Sequence, residues 1–311
     1  MKIFVTGANG QLGHDVINEA GKRGYQTLGT GTKPQYSGID DGSFVTTAPY
    51  LSLDITNKKA VQDSITAFHP DVIVHCAAWT AVDDAEDAEN KDRVFSINAG
   101  GSRNIAEAAN LVGAKLIYIS TDYVFDGSGT RPWEADDKCY APLNIYGQSK
   151  LAGESAVREL TEKYFIVRIA WAFGLSGNNF VKTMLRVRKT RAAVRVVSDQ
   201  IGTPTYTRDL ARLLIDMAET EKYGTYHATN SEEKPNSYIS WFDFTREIYR
   251  QAGLSTKVIP VTTAEYGQSK AKRPLNSRLD KQKMEKEGFS PLPCWKDALH
   301  RYLLETGEIS E

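Results

Sequence analysis

No charge of one sign dominates the 311-residue chain, in which 38 lysines and arginines stand against 39 aspartates and glutamates for a formal net charge of -1. Without a field of one sign, neither nucleic acid nor an anionic membrane surface is an expected partner, and a small molecule is. Cysteine is scarce. Cys76, Cys139 and Cys294 are odd in number and far apart, with no CxxC pair. That excludes a disulfide framework and a thiolate zinc site, and suggests reduced thiols in a cytoplasmic protein. The histidines His14, His69, His75, His227 and His300 form neither HExxH nor any paired metal spacing. Long apolar runs are missing too. The opening run of residues 1–5 is cut off by Gly7 and Gly10, so neither a secretory signal nor a membrane span is expected.

What is present is an ordinary globular composition, 41% hydrophobic and 25% charged, on a chain long enough for one large unit and a smaller one. Short apolar runs rich in β-branched residues, at 2–5, 71–76, 115–120 and 165–170, alternate with amphipathic stretches at 12–23, 58–68, 99–112 and 144–160. That alternation predicts an α/β fold with a doubly wound parallel sheet, its strands joined by right-handed helical crossovers. Beyond Gly174 the rhythm loosens, and Gly, Asn and Pro cluster at 176–179, 200–205 and 231–236. Residues 1–172 are therefore expected to form the sheet domain and 173–311 a smaller lobe. Residues 205–230 look like a helix and strand that return to the sheet. Residues 32–50 are polar and aperiodic, which predicts a surface loop that is long for a strand connection.

The first strand runs directly into Gly7-Ala8-Asn9-Gly10-Gln11-Leu12-Gly13, a GxxGxxG spacing that opens a helix. Glycines there permit a tight turn and let the backbone approach a pyrophosphate, while the helix N-terminus offers free N–H donors. A dinucleotide on a Rossmann-like sheet is the natural ligand. Sites specific for NAD place an acid at the end of the second strand, and residues 27–33 contain none. Thr30, Thr32 and Lys33 could instead receive a 2′-phosphate, which favours NADPH and tolerates NADH. Asp54 could accept from the adenine amino group with Ile55 covering the ring, or could cap the helix that begins near Asn57. Cys76-Ala77-Ala78-Trp79-Thr80 ends the next strand in small residues, where the cofactor must pass closely. Asn98, on the helix that follows, is expected to be a structural hydrogen bonder.

Ser120-Thr121-Asp122-Tyr123 ends another strand, and Tyr146-Gly147-Gln148-Ser149-Lys150 follows on a helix. Positions i and i+4 share a helical face, so the Tyr146 phenol and Lys150 ammonium should point the same way. The cation is expected to lower the phenol's pKa. Together with the glycine loop, a strand-end threonine and a YxxxK pair describe the catalytic set Thr121, Tyr146 and Lys150 of a nicotinamide-dependent oxidoreductase.

These motifs resemble those of the extended short-chain dehydrogenase/reductases, and within them the dTDP-4-dehydrorhamnose reductase family. The resemblance covers nearly the whole chain and is carried by residues 6–13, 77–83, 120–127, 142–147, 177–180, 199–205 and Arg273-Pro274. It implies reduction of the C4 ketone of a dTDP-linked 6-deoxy-hexulose to dTDP-L-rhamnose. Tyr146 would be the proton donor and Lys150 the holder of the nicotinamide ribose. Thr121, Asp122, Trp171 and Asn179 would meet the sugar, and Arg273 the diphosphate. Some members of the family use Mg²⁺; no dense carboxylate cluster demands it here, and Asp15 is the one weak candidate. A homodimer is left open.

Two other functions fit the same motifs. A sugar-nucleotide epimerase or 4,6-dehydratase would share the fold, but elimination calls for an Asp-Glu pair after the threonine, where this chain has Asp122-Tyr123. A non-catalytic subunit resembling the methionine adenosyltransferase β-subunit would keep fold and cofactor, yet has no need of an intact Thr121, Tyr146 and Lys150.

Overall fold

Ile3, Phe4 and Val5 are fully buried in the middle of β1 (Lys2–Thr6), an interior strand of a seven-stranded sheet. The computed structural model describes residues 1–310. On one side of β1 lie β2 (Gln26–Gly31) and β3 (Tyr50–Ser52). On the other lie β4 (Val72–His75), β5 (Lys115–Thr121), β6 (Tyr164–Ile169) and an edge strand, Gly224–His227. Every pairing is parallel. Strand order reverses at β1 and β4, and the crevice beyond their carboxyl ends is where this topology accepts a ligand.

The helices cover both faces, which is why the strands are apolar without alternation. On one face α1 (Gln11–Lys22) and α7 (Thr207–Ala218) set Val16, Ile17, Leu210 and Leu214 against Ile3, Val5 and Val74. On the other, α2 (Lys58–Phe68), α4 (Ser102–Val112) and α5 (Ile145–Leu160) set Val61, Ile65, Ile105 and Val157 against Phe4, Ile73 and Leu116. Each such side chain contributes ~1.5–3 kcal/mol when fully buried. A separate hydrophobic cluster lies away from the sheet. Phe173, Leu185, Phe244, Trp295 and Leu299 pack there, between α6 (Phe180–Val187), α8 (Trp241–Gln251) and the helix Trp295–Glu305.

One strand is not among the expected runs, and two further local features differ from the sequence expectation. The third strand is Tyr50–Ser52, so Leu53 and Ile55 are buried just after it has left the sheet. The helix expected from residue 99 begins earlier, as α3 (Lys91–Phe95), and passes through a π-helical turn at Ser96–Gly101 into α4. The 32–50 loop is not wholly superficial. Asn18 of α1 donates to Ser43 Oγ at 2.9 Å and accepts from Val45 N at 2.8 Å, pinning a short 3-10 turn, Phe44–Thr46, whose Val45 is buried.

Candidate active site

A cleft of about 1100 Å³ opens over the carboxyl ends of the central strands. Every residue assigned to the cofactor from sequence lines it except Lys33. The glycine loop forms one wall. Gly7 has φ +72°, and a Cβ at Gly13 would stand 2.2 Å from the Gly7 carbonyl oxygen, so α1 can start this close to β1 only with glycine at 13. The N-cap, Gly10, puts no side chain on the first N–H groups of α1, which leaves them free for an anion. Thr30, at the end of β2, is fully buried in the cleft wall and its Oγ1 has no partner, the kind of orphaned group that a bound ligand satisfies. These features fit a dinucleotide.

The remaining cofactor-side residues divide. Asp54 does not cap α2; Asn57 does, accepting from Ala60 N at 3.0 Å. Asp54 uses only Oδ1, on Thr56, and lines the cleft with Ile55. Ala77 to Thr80 are held in place by buried Asn98, which accepts from Trp79 N at 2.7 Å and donates to Trp79 O at 3.1 Å and Ser149 Oγ at 2.9 Å. Asn98 thus ties the end of β4 to α5 beside Lys150. Lys33 is exposed outside the cleft, where the loop carries it away and its carbonyl accepts from Tyr50.

Thr121, Asp122, Tyr146 and Lys150 converge on the cleft floor. Asn144 caps α5 by accepting from Gly147 N at 2.8 Å, which fixes the first turn that carries Tyr146. The Tyr146 ring stands edge-on to Tyr123 with centroids 5.7 Å apart. Thr121 donates to Asp122 Oδ1 at 3.0 Å, while Asp122 Oδ2 is buried without a partner.

Electrostatics at the floor is governed by burial. Burial, and then the negative charge of Asp122, push the Tyr146 phenol above its ordinary value, and a hydrogen bond with Thr121 pulls weakly the other way. Lys150, expected from sequence to lower the phenol, is not among the groups that shift it. The reason is the environment of Lys150, which is 3% exposed with its Nζ 4.1 Å from the Tyr118 ring centroid. Burial brings its ammonium down to about 7, against a smaller opposing pull from Glu154. Desolvation likewise raises Asp122 to about 6.

The side chains assigned to the sugar are only partly brought together. Trp171 lines the cleft and stacks on Trp241, with ring centroids 3.9 Å apart and planes at 19°. Its φ of +52° is a left-handed conformation costing ~1–3 kcal/mol in a bulky residue, which is the sort of strain that active sites retain. Sequence alone did not single out Trp241. Asn179 does not line the cleft: it caps α6 by accepting from Lys182 N at 2.9 Å, and its amide donates to Gln11, Gly174 and Tyr302. Arg273 also lies outside the lining, because both its terminal nitrogens are paired with the Asp83 carboxylate, at 3.0 and 2.7 Å. Asp15, the one candidate for Mg²⁺, is buried between Thr207, which donates to it at 2.5 Å, and His14 at 3.0 Å. Among the described residues no group of three or more His, Cys, Asp or Glu is arranged to hold a metal ion, and these residues do not fit one.

The whole chain is similar to known proteins. The family model described as RmlD substrate binding domain matches residues 1–307. A dTDP-4-dehydrorhamnose reductase from Aggregatibacter actinomycetemcomitans is 38% identical over 313 residues, covering 96% of this chain and 97% of that one. The spore coat polysaccharide biosynthesis protein SpsK of Bacillus subtilis is 38% identical over 304 residues, covering 98% and 97%. Among solved structures, the dTDP-4-dehydrorhamnose reductase of Bacillus anthracis in complex with NADP superposes with a TM-score of 0.85 at 42% identity, covering 98% of this chain and 99% of that one. With the family model matching residues 1–307 and a relative 38% identical over 96% of the chain, the chain belongs to the dTDP-4-dehydrorhamnose reductase family.

Proposed function

We propose that the chain reduces the C4 ketone of dTDP-4-dehydrorhamnose to dTDP-L-rhamnose with NADPH, NADH being tolerated. The observation that carries this reading is the meeting of Thr121, Tyr146 and Lys150 on the floor of a cleft whose wall is the glycine loop. The glycine loop, Thr30, Asp54, Ile55 and residues 77–80 would hold the dinucleotide, which supplies a hydride to the carbonyl carbon.

The chain's own residues then act on the oxygen. The Thr121 hydroxyl can hydrogen-bond the developing alkoxide. The Tyr146 phenol, kept protonated at neutral pH by burial, can give it a proton, because an alkoxide is far more basic than a phenolate. Lys150 would hold the nicotinamide ribose and, once charged, lower the cost of the phenolate left behind. Trp171 and Trp241 offer flat apolar faces to the sugar, and Asp122 offers a carboxylate with one oxygen free.

A multiple-turnover assay with NADPH and the dTDP-4-keto-6-deoxy sugar tests the proposal. Stoichiometric NADPH oxidation with dTDP-L-rhamnose as product is expected. Binding of NADPH without turnover would move the chain to the non-catalytic class, and a C4 epimer as product would overturn the stereochemical assignment.

A further inference from the structure

Among the described residues, the carboxylates lining the cleft are Asp54, Asp92 and Asp122, and its cations are Lys150 and Arg93. Lys150 sits on the floor, 3% exposed. An anionic ligand therefore enters past a lining with more acids than bases, and among the described residues Arg93 is the only base in it open to solvent. Arg93 makes no ion pair and no side-chain hydrogen bond among the described residues. Its guanidinium lies over the Trp79 ring, 5.6 Å from the centroid, and the Trp79 backbone is fixed at both N and O by Asn98. The planar fork of N–H donors is thus steadied by stacking but otherwise uncommitted.

Resting on the reading of the cleft as a nicotinamide-dinucleotide site, we infer that Arg93 grips the diphosphate of the bound dinucleotide from the wall opposite the glycine loop. Position selects the diphosphate. Trp79 follows β4, and β4 is the neighbour of β1, whose end leads into the open N-terminus of α1 where a diphosphate settles. A 2′-phosphate would lie at the end of β2, on the far side of β1 and two strand spacings of ~4.8 Å from β4. The diphosphate of the sugar nucleotide is placed differently. The helix bearing Arg93 continues through Ser96 and Ile97 to Gly101, where a Cβ would stand 2.6 Å from the Ile55 side chain, on the adenine side of the cleft. The residues assigned to the sugar, Asp122 and Trp171, follow β5 and β6 instead.

Calorimetric titration of NADPH and NADH into the wild type, Arg93→Ala and Arg93→Lys tests the inference, with melting temperatures as a control on folding. Arg93→Ala should weaken both dinucleotides by the same factor, about tenfold, and flatten the salt dependence of binding. Arg93→Lys should fall between, and the KM of the keto sugar at saturating NADPH should not move. A loss confined to NADPH would assign Arg93 to the 2′-phosphate, and unchanged dissociation constants with a raised sugar KM would assign it to the substrate; either result overturns the inference, as does no effect at all. A wild type that binds neither dinucleotide would instead sink the reading of the cleft itself.

Discussion

Glu154 is fully buried one helical turn beyond Lys150, and its carboxylate accepts from Ser120 Oγ at 2.6 Å, Arg158 Nη2 at 2.7 Å, and Arg168 Nε and Nη2 at 2.8 Å each. Arg168 is itself fully buried and spends its other donors on Ala135 O and Tyr140 Oη. Although burial opposes ionisation, the Arg168 hydrogen bonds and charge hold Glu154 down, to about 2 from an ordinary 4.5. At about 1.4 kcal/mol per pKa unit that shift is worth ~3 kcal/mol, the low end of the ~3–5 kcal/mol lost when one partner of a buried pair is removed. Glu154→Gln keeps the shape but leaves Arg168 uncompensated. At ~2.1 cal/mol/K of unfolding entropy per residue, a chain of this length should melt ~5–8 °C lower. Because the folded pKa is depressed, the contribution of Glu154 is complete above 4.5 and fades as pH falls toward 2. Calorimetry across pH should therefore show the gap between wild type and variant narrowing on that side only. The variant should also bind NADPH more weakly near neutrality, since Glu154 opposes the loss of charge on Lys150. A melting temperature within ~1 °C of wild type at neutral pH would refute the ion-pair reasoning.

Burial brings the Lys150 ammonium down to about 7, so an anionic dinucleotide should draw a proton onto it. Calorimetry in buffers of different ionisation enthalpy should show proton uptake on NADPH binding at about pH 8 and almost none at about pH 5.5, with affinity falling as pH rises through 7. Uptake absent at the higher pH would mean that Lys150 binds neutral. Lys33→Ala should leave the ratio of NADPH to NADH affinity unchanged, because that side chain stands outside the cleft, whereas Thr30→Val should alter it; the opposite pattern would return the 2′-phosphate to Lys33. Trp171→Ala should raise the sugar KM far more than it lowers the melting temperature, since the indole lines the cleft against Trp241 and is only partly buried on the neighbouring core cluster, and its left-handed backbone strain persists in either residue. A large loss of stability with an unchanged KM would make Trp171 a core residue.

The sheet was legible because two-sided burial forces uninterrupted apolar runs, as in Ile3 to Val5 and Leu116 to Tyr118. β3 escaped for the same reason: Leu51 and Ser52 are exposed at the sheet edge, while the more apolar Leu53 and Ile55 are buried by helices after the strand has ended. The glycine loop and the Tyr146/Lys150 face follow from local geometry and could be read directly. What surrounds them could not. Burial sets the charge on Lys150, with Glu154 opposing it, and burial also sets the phenol, but burial is not visible in an i, i+4 spacing. Asn179 precedes an apolar helical stretch and carried the signal of a helix cap, which competes with a sugar contact. No local pattern announces that Asp83 pairs with Arg273, a contact across 190 residues. Trp241 had a usable cue in the Ser240/Asp243 capping box, which places it at the first position of α8.

The central claim is that Tyr146 delivers the proton to the C4 oxygen while Lys150 holds the cofactor. Single-turnover kinetics of Tyr146→Phe with saturating NADPH and keto sugar, beside NADPH titrations of Tyr146→Phe and Lys150→Ala, test it directly. Tyr146→Phe should lose ~10²–10⁴-fold in the chemical step with NADPH affinity nearly intact, and Lys150→Ala should lose both. A near-normal chemical step in Tyr146→Phe would contradict the claim and leave Thr121 or a bound water as the source of the proton.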